Sequence, residues 1–472
     1  MTKKSKSNIP WGQLSSSIRS PFGFGREALR LGGAWSKTLA VSLPAASWKK
    51  WREKASMTSQ QAWADILGES CLSFLDEAGP FYGKIMQIIL SRLDGPGHSW
   101  AQQWQLTRVY SDWPALNFEQ IKAILDEDIP NWQDEMTIEE QALGVASMGQ
   151  VHGARGKNGQ EWVVKILKPR AVKRLEETLS TLRSAIDGFS LMALPRKQKR
   201  VLRELDIFVK SLQLECSLLN EKKAIDKMRS LCKKKSLSRV VIPKVWEKMC
   251  TERVLVVERF RGLTFQDLVE GKGNLSASQR QELARDVMRE LLSQVFDLGF
   301  FHADPHAGNL ILLEDGRVGL FDWGLSGELS RSDRDHIASM LRAVMSRDLM
   351  ELARALQRMA VDAGMKRAPS AHVIWAELQK MLEQFKKEHA GKGLAKSLSI
   401  EQLVGACMQS ADRLQIPLPV GLLLMMKSLV TIEGLAKGID PDISMARVAG
   451  PVLWRAARPG IKDILRMLNP IR

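Results

Sequence analysis

The stretch FHADPHAGNLILLEDGRVGLFDWG, running from Phe301 to Gly324, places three oxygen-bearing side chains, Asp304, Asn309 and Asp322, around a strand–turn–strand pattern. Leu310-Ile311-Leu312-Leu313 and Val318-Gly319-Leu320-Phe321 have strand composition, and Glu314-Asp315-Gly316-Arg317 between them has the composition of a turn. A hairpin there returns Asp322 toward Asn309. Phosphoryl transfer needs a carboxylate at the acceptor and oxygen ligands for a metal that bridges the nucleotide phosphates. Kinases take these from one Asp, an Asn five residues on and a second Asp beyond a hairpin, the spacing seen here. Asp304 is therefore the candidate catalytic carboxylate, and Asn309 and Asp322 are the candidate metal ligands. Hard oxygen donors completed by phosphate favour Mg²⁺. His302 and His306 are expected to brace the loop, because an imidazole-bound transition metal needs further His or Cys ligands.

Outward from this loop, the chain alternates between helical and strand character. A helix is expected from Ser276, a good N-cap, through Leu283, Val287, Leu291, Val295 and Leu298, stopping at Gly299. Beyond Asp322 the pattern is helical to the end. Upstream, the segments QVHGAR and EWVVKIL flank Lys157-Asn158-Gly159 as a hairpin, while Val240-Val241-Ile242 and Val254 to Val257 read as short strands. Residues 61–140 and 170–235 have helical spacing. Before the hairpin, small side chains at Gly144, Ala146 and Gly149, in a run with Val145 and Ser147, would permit backbone N–H groups to approach phosphate oxygens. Lys165 lies on the next strand, where a lysine can touch those phosphates; on position alone it reads equally as an exposed strand lysine.

These elements predict an α+β, bilobal, kinase-like fold. Its expected parts are a basic arm (1–60), a helical extension (61–140), a strand-rich lobe (141–262), a helical lobe (263–445) and a basic tail (446–472).

Composition bounds the rest. The chain has 472 residues, 44% of them hydrophobic, enough for a large core. Five cysteines without CxxC or Cys/His spacing suggest neither a disulfide framework nor a zinc site, and a reducing cytosolic compartment fits. Lys3, Lys4 and Lys6 precede a polar run and not an apolar one, so no secretory signal is expected. The longest apolar stretch, Leu418 to Met426, is interrupted by Lys427 and is far short of the ~20 residues that span a bilayer. It reads as a buried helix.

The net charge of +16 is concentrated at the start, where residues 1–60 carry eleven Lys/Arg against Glu27 and Glu53. Trp11, Trp35, Trp48 and Trp51 are interleaved with those cations, a composition suited to an anionic membrane surface. Nucleic acid offers similar electrostatics but is not the expected partner, and a solvated basic tail fits equally.

HADPHAGN is similar to the HADPHPGN segment of the UbiB/ABC1/ADCK family of atypical kinases, with Ala307 where the family usually has Pro, and DWG resembles its DFG. Ala146 to His152 (ASMGQVH) resembles the family's alanine-rich loop and QVH. Glu215 to Glu221 resembles its E-x-D-x-x-x-E segment, with Ser217 in place of the Asp. Gly79 to Gln87 resembles its K-x-G-Q helix, with Met86 in place of the Gly.

The likeness covers about residues 70–445 and implies an ATP- and Mg²⁺-binding kinase or ATPase. In it, Lys165 and Glu221 would pair, Lys84 would meet Glu215, and Gln87 would approach the nucleotide. On helical spacing Glu215 reads equally as a surface charge. Relatives support quinone or other isoprenoid-lipid metabolism, implying a lipid partner and peripheral attachment at the inner face of a membrane. Two other readings share the loop: a small-molecule phosphotransferase of the aminoglycoside or choline kinase type, and a nucleotide-binding pseudokinase scaffold.

Overall fold

The computed structural model describes residues 115–146, 148–190, 216–235, 237, 239–365, 367–388 and 418–458, with a few positions between them. In chain order the strands are β1 Met136–Val145, β2 Gly149–Gly156, β3 Glu161–Leu167, β4 Val240–Val241, β5 Val254–Glu258, β6 Gly262–Thr264, β7 Phe300–His302, β8 Leu310–Leu313, β9 Val318–Leu320 and β10 Ser326–Glu328. The helices are α1 Phe118–Asp128, α2 Pro169–Ser190, α3 Leu218–Lys235, α4 Phe265–Val269, α5 Ala277–Ser293, α6 Arg331–Met345, α7 Leu349–Asp362, α8 Ala371–Glu388, α9 Val420–Ile439 and α10 Met445–Ala457. They form two compact units, the first comprising described residues up to Leu219 with Glu247–Val256, the second Asn220–Trp246 and described residues from Val257 onward.

The first unit is built on a sheet in the order β1-β2-β3-β5. Alternation along β3 buries Trp162, Val164 and Ile166 and leaves Lys165 half-exposed on the other face, opposite Val151 of β2. The expected turn at 157–159 is present, with Gly159 at φ 77°. β1 begins at Met136, earlier than helical spacing through 140 suggested. As an edge strand it leaves most of its residues exposed, so it carries no clean alternation to read.

The paired Gln150 and His152 of the QVH run are almost fully buried in this sheet. Gln150 accepts from Leu116 N at 2.9 Å and donates to Leu116 O at 3.1 Å, pinning the chain just before α1. Its amide also donates to His152 Nε2 at 3.0 Å, so His152 Nδ1–H donates to Glu139 O at 2.9 Å. Arg253, leading into β5, grips Asp128 at the end of α1 through two guanidinium nitrogens, and Thr251 donates to the same carboxylate at 2.7 Å.

The second unit contains the sheets β4-β9-β8-β6 and β10-β7 and the long helices. Ser276 caps α5 in a capping box with Gln279, and the helix buries Leu283, Val287 and Leu291. It continues through one π-helical turn, Gln294–Leu298, and ends at Gly299, whose φ of 70° suits glycine. Glu290 of α5 accepts backbone N–H groups from Arg239 and Val240 at 2.7 Å each, fixing β4 beside β9.

Phe301, Ala303, Ile337, Met359, Ile374 and Leu422 share one core cluster, so the strand that opens the candidate loop is anchored in the helical core. Of the segment expected as a tail from 446, residues up to Ala457 continue α10, which buries Val448, Ala449, Val452 and Ala457. Among the described residues no helix is long and apolar enough to cross a membrane.

Candidate active site

β8 and β9 pair antiparallel with Leu310 opposite Leu320, as the hairpin reading requires, and Gly316 in the turn takes φ 81°. Phe321 N donates to Asn309 O at 3.1 Å, closing the hairpin at its mouth and bringing Asp322 beside Asn309. One feature absent from the sequence reading is β10, which pairs with β7 so that Ser326 faces His302.

His302 joins the two ends of the loop. Its Nδ1 accepts from Asp304 N at 3.0 Å, which leaves Nε2–H to donate to Asp322 O at 2.9 Å. The ring is buried, meets Trp323 edge-on at 5.0 Å, and is held below its ordinary pKa by burial, against the upward pull of Asp322 and Asp304. Neutral imidazole is the form this network needs. Asp322 itself stands at φ 59°, a left-handed conformation that costs a non-glycine residue on the order of 1 kcal/mol and is tolerated best by Asn and Asp. The buried Trp323, whose indole donates to Leu320 O at 3.1 Å, packs behind it.

Asn309 closes the short 3₁₀ turn Ala307–Asn309 and is 8% exposed. Its Nδ2 donates to Asp304 O at 3.2 Å, which leaves Oδ1 an acceptor without a hydrogen-bond partner among the described residues. His306 caps the same turn by accepting from Gly308 N at 3.0 Å, so both loop histidines brace backbone as expected. Among the described residues no group of three or more His, Cys, Asp or Glu side chains is arranged to hold a metal by itself. An amide oxygen and a carboxylate on adjoining strand ends fit Mg²⁺, which keeps waters and takes phosphate oxygens.

Glu221, buried in the first turn of α3, also reaches this place. A side chain at Gly324 would stand 3.4 Å from Asp322 Oδ1 and 3.8 Å from Glu221 Oε2, so glycine leaves the two carboxylates flanking one point. Two further contacts come from α9 and were not anticipated. Ser428, buried, donates to His302 O at 2.9 Å, and Lys427 Nζ lies 3.0 Å from Asp304 Oδ2. Their signal in the sequence was the lysine interrupting the longest apolar stretch.

In the first unit, Gly144 and Val145 end β1 and lie open, Val145 half-exposed and Gly144 with nothing near the place of a Cβ. The turn that follows is held by Lys168, whose side chain donates to Ala146 O at 2.8 Å and whose N–H donates to Met148 O at 2.9 Å. Lys168 is buried, and burial lowers its pKa. Gly149 cannot carry a side chain without meeting Ile166 O at 2.9 Å. Lys165 belongs to this unit and Glu221 to the second. Ser147, Lys84, Gln87, Met86 and Glu215 lie outside the described residues.

A hairpin-borne Asp/Asn/Asp set on an α+β, bilobal framework is the arrangement of the kinase-like folds. The family described as the ABC1 atypical kinase-like domain matches residues 108–356, and the UbiB helical domain matches residues 383–444. The chain belongs to the UbiB/ABC1 atypical kinase-like family. It is 29% identical over 424 residues to a probable protein kinase UbiB of Photorhabdus laumondii, covering 85% of this chain and 73% of that one. It is 26% identical over 390 residues to an uncharacterized protein in the hydrogenase 1 5′ region of Clostridium pasteurianum, covering 81% and 70%. Among solved structures, the complex of Rv3197 with erythromycin from Mycobacterium tuberculosis shares the fold with a TM-score of 0.53. It is 19% identical and covers 73% of this chain and 85% of that one.

Proposed function

We propose that this protein binds ATP with Mg²⁺ and works as an atypical kinase or ATPase at a membrane surface, in quinone or isoprenoid-lipid metabolism. The observation that carries the reading is the convergence of Asp304, Asn309 and Asp322 through His302 and the β8–β9 hairpin. Asn309 and Asp322 would hold the metal, which when bound neutralises phosphate charge. Asp304 orients the acceptor hydroxyl or water, and the His302 network keeps its backbone fixed relative to Asp322. Lys165 and the open backbone at Gly144, Val145 and Ala146 are assigned to phosphate binding, and Glu221 to positioning. The lipid assignment is supported by the UbiB likeness and by the basic, Trp-bearing residues 1–60.

The test is phosphate release from Mg-ATP by the full chain, with and without liposomes containing anionic lipid. Metal-dependent release stimulated by those liposomes is expected. Release indifferent to lipid removes the membrane part of the reading, and release indifferent to metal removes the site.

A further inference from the structure

Lys427 sits on α9, far along the chain from the loop, yet its Nζ is 3.0 Å from Asp304 Oδ2. The two side chains are 48% and 36% exposed, and a pair this open contributes little to stability. The attachment of α9 to the loop is already made from inside, by buried Ser428 donating to His302 O at 2.9 Å. The lysine is the outer, solvent-facing half of that attachment. An ammonium has three donors. Asp304 is the hydrogen-bond partner of Nζ among the described residues, which leaves two donors beside the carboxylate without a partner there.

An acceptor oriented by Asp304 must have its oxygen within about 3–3.5 Å of the phosphorus it attacks, so the phosphoryl group in transit comes within reach of those donors. We propose that Lys427 is a second phosphate-handling lysine of this site, steadying the Asp304 carboxylate and donating to a non-bridging oxygen of the phosphoryl group as it moves. In that step the bond from the acceptor oxygen to phosphorus forms and the bond from phosphorus to the β–γ bridging oxygen breaks. ADP leaves with that electron pair, and the acceptor proton passes to Asp304 and then to solvent. Lys427 takes no part in the proton's passage and compensates charge in the transition state. The inference rests on the reading of Asp304 given under the proposed function.

The full chain, Lys427→Met and Lys427→Arg are compared in Mg²⁺-dependent phosphate release from ATP, in MgADP binding and in thermal melting. Lys427→Met is expected to lower kcat about 100-fold, leaving MgADP affinity within about twofold because MgADP lacks the transferred group. The melting temperature stays unchanged. Lys427→Arg recovers at least about tenfold of the loss, since a guanidinium can bridge carboxylate and phosphate.

A kcat for Lys427→Met within about threefold of wild type overturns the proposal. So does a joint fall of kcat, MgADP affinity and melting temperature, which would make the lysine a structural tie. If wild type binds nucleotide without turning over, the ratio of MgATP to MgADP affinity decides. The substitution then reduces the preference for ATP about tenfold, and an unchanged ratio overturns the idea. A wild type that binds no nucleotide removes the phosphotransfer reading itself, and the inference with it.

Discussion

In the second unit Asp304, Asn309 and Asp322 rest on backbone tied together by hydrogen bonds. His302 bridges Asp304 and Asp322, Asn309 reaches Asp304 O, and Phe321 N returns to Asn309 O. In the first unit the corresponding turn is short, its residues offer mostly backbone, and one buried lysine, Lys168, holds it from the end of β3. The contrast matches the chemistry proposed for each. Metal ligands and an acceptor-orienting carboxylate must keep fixed directions, whereas a loop covering phosphates needs small side chains and open N–H groups. The bonding differs as well: the second unit's network runs through a neutral, buried imidazole, while the first is tied by the Arg253–Asp128 ion pair.

The larger expected effect breaks the second-unit network. His302→Ala leaves Asp322 O and Asp304 N without that partner and opens space against Trp323, so it should destabilise by about 3 kcal/mol, read from the urea midpoint. It should also abolish Mg²⁺-dependent turnover while the first unit's sheet persists in circular dichroism. An unchanged midpoint would show that the imidazole does not organise the loop.

A smaller effect sharpens the contrast from the other side. Burial alone would raise the pKa of Asp128, but hydrogen bonds from Arg253 and Thr251 outweigh it and hold the carboxyl below its ordinary value. A depressed folded value means stability that is present above the unfolded pKa of about 3.9 and is lost as pH falls through the lower folded one. Asp128→Asn should therefore destabilise by about 1–2 kcal/mol at pH 7, and the gap from wild type should narrow below about pH 4. A pH-independent gap would mean that the pair's geometry, not its charge, carries the effect.

What the sequence made legible was local. The β8–β9 hairpin, the Ser276 cap and the Gly299 stop each depend on a few neighbouring residues, and all three lie where spacing put them. The roles of Gln150 and His152 were not legible, because the residues they hold, Leu116 and Glu139, lie 34 and 13 positions upstream. Lys427 was read as an interruption in an apolar run; only the packing of α9 against the loop turns it toward Asp304. β1 hid because an exposed edge strand has no buried face to impose a period, and the π turn hid because Val295 and Leu298 carry the three- and four-residue apolar spacing through it.

Asn309 and Asp322 are proposed to form a metal–nucleotide site. Its most direct test is calorimetric titration of ATP into the full chain with and without Mg²⁺, repeated for Asp322→Asn. Wild-type binding is expected to tighten at least about tenfold with Mg²⁺, and in the variant that gain disappears while melting temperature is retained. Binding that ignores Mg²⁺ in wild type, or an Asp322→Asn variant that still gains from it, would rule out a metal site at these two residues.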